Sequence, residues 1–141
     1  MKKNFTILVA DKNRNVRDFL RRELSEDGYE IVVASDGNQV EARIESDAPP
    51  DLLVIDMEVP EIDGSKILEM SQTRRPPLPV IIHTFLTEES IRDRVNETET
   101  YIEKSGNLDH LRSAIKEMLK KFYPDRFLIG CPSAAASECP A

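Results

Sequence analysis

Four predicted strands of this sequence each end in a polar residue: Asp11, Asp56, Thr84 and Lys104. Asp56 is the most informative of them, because the run before it, Leu52 to Ile55, is unbroken and apolar. Such a run is typical of a strand buried on both faces of a parallel sheet. The carboxyl ends of parallel strands meet at the edge where open α/β sheets bind ligands. We therefore expect these four side chains to lie near one another.

Two carboxylates, a hydroxyl and an ammonium at one sheet edge favour phosphoryl transfer. Paired carboxylates can hold Mg²⁺, which takes a few carboxylate ligands together with water and phosphate oxygens. The metal and a lysine neutralise charge on the transferring phosphoryl group, and a hydroxyl binds one of its oxygens. A carboxylate can itself be the nucleophile and form an aspartyl-phosphate. The residue types therefore predict a phosphoryl-transfer site that uses magnesium.

The elements that must position this site follow from the apolar period, which alternates between strand and helix. Strands are predicted at residues 5–10, 31–34, 52–55 and 80–84, with a short one ending at residue 104. Helical spacing follows each strand, weakly around residues 91–95 and strongly in the last helix. This alternation predicts an α/β fold, a doubly wound five-stranded parallel sheet with helices on both faces and with strands one, three and four at its centre.

The position of the carboxylates depends on the order of the strands. If the order is 2-1-3-4-5, Asp11 and Asp56 end neighbouring strands about 4.8 Å apart, where the order reverses. Local signals mark the element ends: Asn13 is predicted to cap the first helix, Gly28 to end it, and Asp36 with Gly37 to form the turn after the second strand. Ala48, Pro49 and Pro50 are predicted to end the second helix.

Composition narrows the function classes. The chain has 141 residues and a net charge of −7, which argues against nucleic-acid binding by this domain alone. No apolar run approaches the length of a membrane span, and no signal peptide is recognised. The only cysteines, Cys131 and Cys139, lie near the C-terminus and favour a cytoplasmic protein without structural disulfides. We expect a domain at residues 1–123 and a flexible tail, rich in Pro, Ser and Ala, at residues 124–141.

Four segments of the sequence together resemble the CheY-like receiver domain of bacterial two-component response regulators. They are Ile7–Asp11, Asp56–Gly64, Pro79–Thr84 and Tyr101–Lys104, within a match from about residue 5 to residue 122. The resemblance implies a flavodoxin-like fold that accepts phosphate from a histidine kinase or phosphotransfer protein. It implies no enzyme activity beyond self-phosphotransfer and autodephosphorylation.

The resemblance also implies a role for each matching residue. Asp56 would be the phosphoacceptor, and Asp11, Asp56 and the backbone carbonyl of Glu58 would bind Mg²⁺. Thr84 would be the switch hydroxyl, Lys104 the phosphate-binding lysine and Tyr101 the switch aromatic. Phosphorylation would be signalled to a downstream protein through the surface of the fourth predicted helix and the fifth strand. A second copy of the chain is a further candidate partner, and no nucleic acid or membrane is expected.

The sequence departs from the family pattern at three places. Lys12 stands where the family usually has a second acidic residue that binds the metal, so we expect weaker Mg²⁺ binding, with the ammonium partly replacing the ion. Alternatively, Lys12 points into solvent. Ser105 replaces a proline that usually follows the lysine in a cis peptide. The polar stretch from Asn96 to Thr100 replaces small residues and leaves the identity of the partner open.

Two other functions fit parts of the sequence. A degenerate receiver acting as a constitutive, phosphorylation-independent interaction module is favoured by Lys12 and Ser105. A phosphohydrolase that forms an aspartyl-phosphate is disfavoured, because Asp56 and Glu58 end the third strand rather than the first. The individual residues also have simpler interpretations: Lys104 as a surface lysine, Tyr101 as a packed edge aromatic and His83 as a residue that points away from the site.

Overall fold

The computed structural model describes residues 5–56, 58–84, 99–104 and 108–129. Strands alternate with helices along most of this range, as the apolar period predicts. The strands are β1 Thr6–Ala10, β2 Glu30–Ala34, β3 Leu52–Ile55, β4 Val80–Thr84 and β5 Glu99–Glu103. The helices are α1 Arg14–Glu26, α2 Gly37–Ile44, α3 Gly64–Thr73, α4 Asp109–Phe122 and α5 Pro124–Ile129.

The strands form one parallel sheet in the order β2-β1-β3-β4-β5, which confirms the predicted fold class and topology. β1 is the strand around which the order reverses: Leu8 lies opposite Val32 of β2 on one side and Leu53 of β3 on the other. The central strands β3 and β4 are buried along their whole length. Their burial on both faces explains why each reads as a continuous apolar run.

Each face of the sheet has its own core, because successive side chains of a strand point to opposite faces. Ile7 and Val9 pack on the face covered by α1 and α4, while Leu8 and Ala10 pack on the face covered by α2 and α3. Leu20, Leu24, Leu111 and Ile115 complete the first core, and Val40, Ile44 and Ile67 contribute to the second. Helices therefore cover both faces of the sheet, as predicted.

Local signals set the ends of the first two helices. The side chain of Asn13 accepts hydrogen bonds from the backbone N–H groups of Asn15 and Val16, so it caps α1 as predicted. Gly28 has φ 99° just after α1 ends, a left-handed conformation that glycine adopts readily. Asp36 does more than mark a turn, because its carboxylate caps α2 through the N–H of Gln39.

The structure differs from the sequence-based expectations in two elements. α2 ends at Ile44, before the predicted stop at residues 48–50. A further helix, α5, follows α4 after Tyr123, where no regular structure was predicted. The helix predicted around residues 91–95 lies outside the described residues, and so do residues 130–141 of the predicted tail. Within the described ranges, no helix is both long and apolar enough to cross a membrane.

Candidate functional site

The backbone of the sheet places Asp11 and Asp56 side by side. The N–H of Asp11 donates to the carbonyl of Ala34 (3.3 Å), and the N–H of Asp56 donates to the carbonyl of Ala10 (2.9 Å). The strand ladders thus extend one residue beyond the ends of β1 and β3. Both carboxylates lie at the carboxyl edge of the sheet, where the strand order reverses, and both residues are almost fully buried.

Lys104 joins the two carboxylates. Its Nζ lies 2.8 Å from Oδ2 of Asp11 and 2.5 Å from Oδ2 of Asp56. The lysine side chain is 7% exposed, and its two partners are exposed by 3% or less. Burial by itself disfavours the charged ammonium, but hydrogen bonds and charge attraction from Asp11 and Asp56 raise the pKa of Lys104 above its ordinary value. Lys104 is therefore a buried cation held by two anions.

The other oxygen of each carboxylate accepts a hydrogen bond from the loop that follows its strand. Oδ1 of Asp11 accepts from the N–H of Asn13 (2.9 Å), and Oδ1 of Asp56 accepts from the N–H of Glu58 (2.9 Å). The backbone carbonyl of Asp11 also accepts from a guanidinium nitrogen of Arg17 (2.6 Å). Backbone and side-chain contacts thus fix the orientation of both carboxylates.

Lys12 forms an ion pair at the rim of the site. Its ammonium lies 2.5 Å from Oε1 of Glu58, and both side chains are about half exposed. The hydrogen bond and the charge of Glu58 raise the pKa of Lys12. The ion pair links the loop after β1 to the loop after β3 at the rim of the site. No sequence signal pointed to this pairing beyond the opposite charges of the two residues.

The chemistry of the donors fits a hard cation. Asp11 and Asp56 direct carboxylate oxygens at the same ammonium, so they are close enough to share a cation. Across the described ranges, no group of three or more His, Cys, Asp or Glu side chains is arranged to hold a metal. Mg²⁺ accepts a site of this kind, because it usually takes one or two carboxylates and keeps several waters.

The remaining predicted site residues lie on β4 and β5 or just beyond them. Thr84 ends β4 and is 1% exposed, and its backbone carbonyl accepts from the N–H of Lys104 (2.8 Å). Tyr101 pairs with Ile82 through the backbone of β5, and its side chain is outside the described part of the structure. Ser105 also lies outside the described residues.

His83 is buried close enough to Asp11, Asp56 and Lys104 for their charges to affect its pKa. It is 5% exposed, and its Nδ1 has no hydrogen-bond partner in the described part of the chain. Burial and, to a smaller extent, the nearby charge of Lys104 lower the pKa of His83 to about 4, against the opposing effects of Asp11 and Asp56. His83 is therefore neutral at neutral pH.

The comparison with known protein families decides the identity. The model of the response regulator receiver domain matches residues 7–116. The chain belongs to this family. The predicted family and fold are therefore confirmed. Receiver domains of response regulators interact with histidine kinases and downstream effectors.

Relatives of known description agree with this membership. The response regulators MprA of Mycolicibacterium vanbaalenii and Mycobacterium tuberculosis are each 32% identical to this receiver domain over 123 residues, or 84% of the chain and 52% of each relative. The chain thus spans about half the length of the curated relatives it matches.

Solved structures also agree. The response regulator TrrA of Thermotoga maritima, in complex with Mg²⁺ and BeF, is 31% identical, with a TM-score of 0.70 over 82% of this chain and 99% of that one. A CheY-like receiver domain protein of Methanospirillum hungatei is 27% identical, with a TM-score of 0.73 over 86% of this chain and 98% of that one.

Proposed function

We propose that this receiver domain is a phosphorylation-controlled switch that accepts a phosphoryl group from a histidine kinase or phosphotransfer protein on Asp56. The observation that carries the proposal is the contact of Lys104 with both Asp56 and Asp11 in a buried site at the carboxyl edge of the sheet. Such a site offers a carboxylate nucleophile, a second carboxylate for a cation and an ammonium that can follow the transferred charge.

The transfer step uses one oxygen of the Asp56 carboxylate as the nucleophile. This oxygen attacks the phosphorus of a phosphohistidine, so a P–O bond forms while the P–N bond breaks. The imidazole leaves with the electron pair of that bond and takes up a proton from the surrounding water. Lys104 stays beside the newly formed phosphoryl group and neutralises part of its charge, and Thr84 supplies a hydroxyl to one of its oxygens.

Asp11, Asp56 and the backbone carbonyl of Glu58 would hold Mg²⁺. When bound, the ion neutralises phosphoryl charge during transfer. We infer that binding is weak in this chain, because the ammonium of Lys12 engages Glu58 at the rim of the site and brings positive charge where the family usually has an acidic ligand. The same ammonium offsets part of the negative charge that the metal would otherwise balance.

The test is phosphorylation of the whole chain by a small phosphodonor in the presence of Mg²⁺. We expect intact-mass spectrometry to detect one phosphoryl group per molecule. The bond that holds this group should be stable to acid and labile to base. Asp56→Asn should abolish the adduct. Asp51→Asn is the matched control, because Asp51 precedes the same strand at the opposite edge of the sheet, and it should leave the adduct intact.

A specific observation favours a second candidate function, the degenerate receiver. The Lys12–Glu58 ion pair occupies the rim where a typical site has a further acid. If neither the phosphodonor nor a kinase forms an adduct on Asp56 at high Mg²⁺, the constitutive interaction module becomes the better explanation.

Both candidate functions, the phosphorylation-controlled switch and the constitutive module, act by binding another protein. We propose that the partner surface includes β5 together with the predicted helix around residues 91–95, and that a second copy of the chain is one candidate for the partner. Phosphorylation changes the charge beside Lys104, whose backbone follows β5 directly, so a change at Asp56 is transmitted to that strand.

A further inference from the structure

The loop that follows Asp56 is attached to the sheet at its start. We call residues 58–62 the acceptor loop. The N–H of Glu58 donates to Oδ1 of Asp56 (2.9 Å), and the N–H of Val59 donates to the carbonyl of Asp56 (3.1 Å). Val59 is 2% exposed and belongs to the core beneath α2 and α3. The position of this loop therefore sets the orientation of the Asp56 carboxylate.

The far half of the acceptor loop rests on the first residue of α2. The N–H of Gly37 donates to the carbonyl of Pro60 (2.7 Å). A Cβ added at Gly37 would lie 2.0 Å from the carbonyl oxygen of Glu61 and 2.7 Å from Cα of Ile62. Both of these atoms belong to the backbone, so they cannot move aside as the end of a flexible side chain could. Only glycine allows this approach.

The loop adopts an unfavourable backbone conformation at the point of contact. Glu61 has φ 60°, in the left-handed region that residues with a Cβ rarely adopt. Its side chain accepts a hydrogen bond from Nδ2 of Asn38 (2.9 Å), the second residue of α2. A conformation of this kind persists where the surrounding structure holds it in place. Here the first turn of α2 holds the loop in place through the backbone N–H of Gly37 and the side chain of Asn38.

The start of α2 is itself firmly placed. Asp36 caps the helix through the N–H of Gln39 (2.8 Å), and Val40, one turn further along, is fully buried. The first turn of α2 therefore provides a fixed support under a loop whose other end orients Asp56.

We propose that Gly37 is a positioning residue for phosphorylation, because its lack of a side chain lets α2 hold the acceptor loop in the geometry that aims the Asp56 carboxylate and the Glu58 carbonyl. The inference rests on the proposed phosphoacceptor function of Asp56 and deepens it. The connection between β2 and α2 thus contributes to the chemistry at the end of β3.

The experiment compares Gly37→Ala with Gly28→Ala in the full chain. Gly28 is a matched control: its φ of 99° makes any substitution strained, but open space surrounds it and it lies after α1, away from the acceptor loop. Both variants should lose stability. Only Gly37→Ala should slow phosphorylation by a small phosphodonor, by roughly tenfold or more, since displacing a reacting group by about 1 Å can cost about a hundredfold in rate.

A readout that does not depend on phosphorylation separates positioning from folding. Amide hydrogen exchange across residues 58–62, measured without Mg²⁺, should become faster than in the parent for Gly37→Ala and should stay unchanged for Gly28→Ala. If Gly37→Ala does not fold, Asn38→Ala takes its place, because it removes only the side-chain contact to Glu61. The expected effects of Asn38→Ala are in the same direction and smaller.

The outcomes are distinct. Equal phosphorylation rates and equal exchange in the two glycine variants, or an Asn38→Ala variant identical to the parent where Gly37→Ala is unfolded, would overturn the inference while leaving Asp56 as the phosphoacceptor. A parent chain that takes up no phosphoryl group would overturn the proposed function, and the inference with it.

Discussion

The two ends of the sheet both hold aspartates near cations, and they do so in different ways. At the carboxyl end, Asp11 and Asp56 contact the same Lys104 ammonium, and all three side chains are nearly inaccessible to water. At the amino end lies a second group, which we call the amino-end cluster. It consists of Asp51, Arg74, Tyr123 and Arg126.

The amino-end cluster satisfies its polar groups with directed hydrogen bonds. Asp51 accepts from Arg126 and from the N–H of Thr6, and the Tyr123 hydroxyl donates to the carbonyl of Asp51 (2.7 Å). Arg74 donates to the Tyr123 hydroxyl and to the carbonyl of Pro50. The guanidinium of Arg126 also lies 4.4 Å from the ring centre of Phe5. These contacts fasten α5 and the end of α4 to the sheet.

The two groups differ in how strongly a change of charge affects them. The arginine in the ion pair of the amino-end cluster is 44% exposed, so water screens its charge and a change of charge there has little effect. The carboxyl-end group is shielded from water, so a metal ion or a phosphoryl group alters a strong local field. The charged groups at the amino end hold the last two helices against the sheet. Those at the carboxyl end respond when a metal ion or a phosphoryl group changes the local charge.

The largest expected effect is that of Lys104→Met without Mg²⁺. Removing the ammonium leaves two buried carboxylates together, and we expect the free energy of unfolding to fall by about 3–5 kcal/mol. Urea denaturation measures the loss. Lys66→Met is the control, since the ammonium of Lys66, which pairs with Glu41, is largely exposed and its loss should have little effect. A loss below about 1 kcal/mol for Lys104→Met would mean that the two ends hold charge in the same way.

The next largest effect concerns the acid dependence of stability through His83. The pKa of the buried imidazole is lowered to about 4, against an ordinary value of 6.5. Below pH 6.5 the unfolded chain takes up this proton and the folded chain does not, so stability should fall by about 3 kcal/mol between pH 6.5 and pH 4.

Unfolding of the parent and of His83→Leu across that pH range, in chelator, checks this expectation. The variant should show a shallower slope, and His110→Gln, which alters an exposed histidine, should keep the slope of the parent. Identical slopes for all three proteins would mean that burial does not lower the pKa of His83 in the folded chain.

A smaller effect is expected at the amino-end cluster. Tyr123→Phe removes the hydroxyl that joins Arg74 to the carbonyl of Asp51, and it should cost about 2 kcal/mol. Phosphorylation and Mg²⁺ affinity should not change, because the cluster lies at the opposite end of the sheet. Calorimetry combined with the phosphodonor assay tests both statements. A change in phosphorylation would show that the two ends are coupled.

The smallest effect in free energy is expected at the rim. Lys12→Asp replaces the cation by a carboxylate and should tighten Mg²⁺ binding on the order of tenfold, the lower end of what changes around a metal's ligands produce. Titration calorimetry with Mg²⁺ measures the change. Lys12→Met is the companion variant, and it separates loss of the ammonium from gain of a ligand. Equal affinity in parent and Lys12→Asp would rule out an effect of Lys12 on the metal.

Much of the fold could be predicted because local patterns report directly on burial. Continuous apolar runs identified β3 and β4 as central strands, and Asn13 and Gly28 identified the ends of α1. α5 was missed, since a segment of six residues whose apolar positions are consecutive is too short for a helical period to be recognised. Its place depends on Arg126 reaching Asp51, a contact across 75 residues of sequence.

Strand periodicity and strand ends are local properties, so the amino-acid pattern alone identified the residues at the carboxyl ends of the strands. It thereby assembled Asp11, Asp56, Thr84 and Lys104 as a group. The connections within and around that group became visible in the folded chain: Lys104 contacts both carboxylates, Lys12 pairs with Glu58 and Gly37 supports the acceptor loop. These contacts join residues more than 20 positions apart, and their distances and burial arise only when separate loops meet at one edge of the sheet.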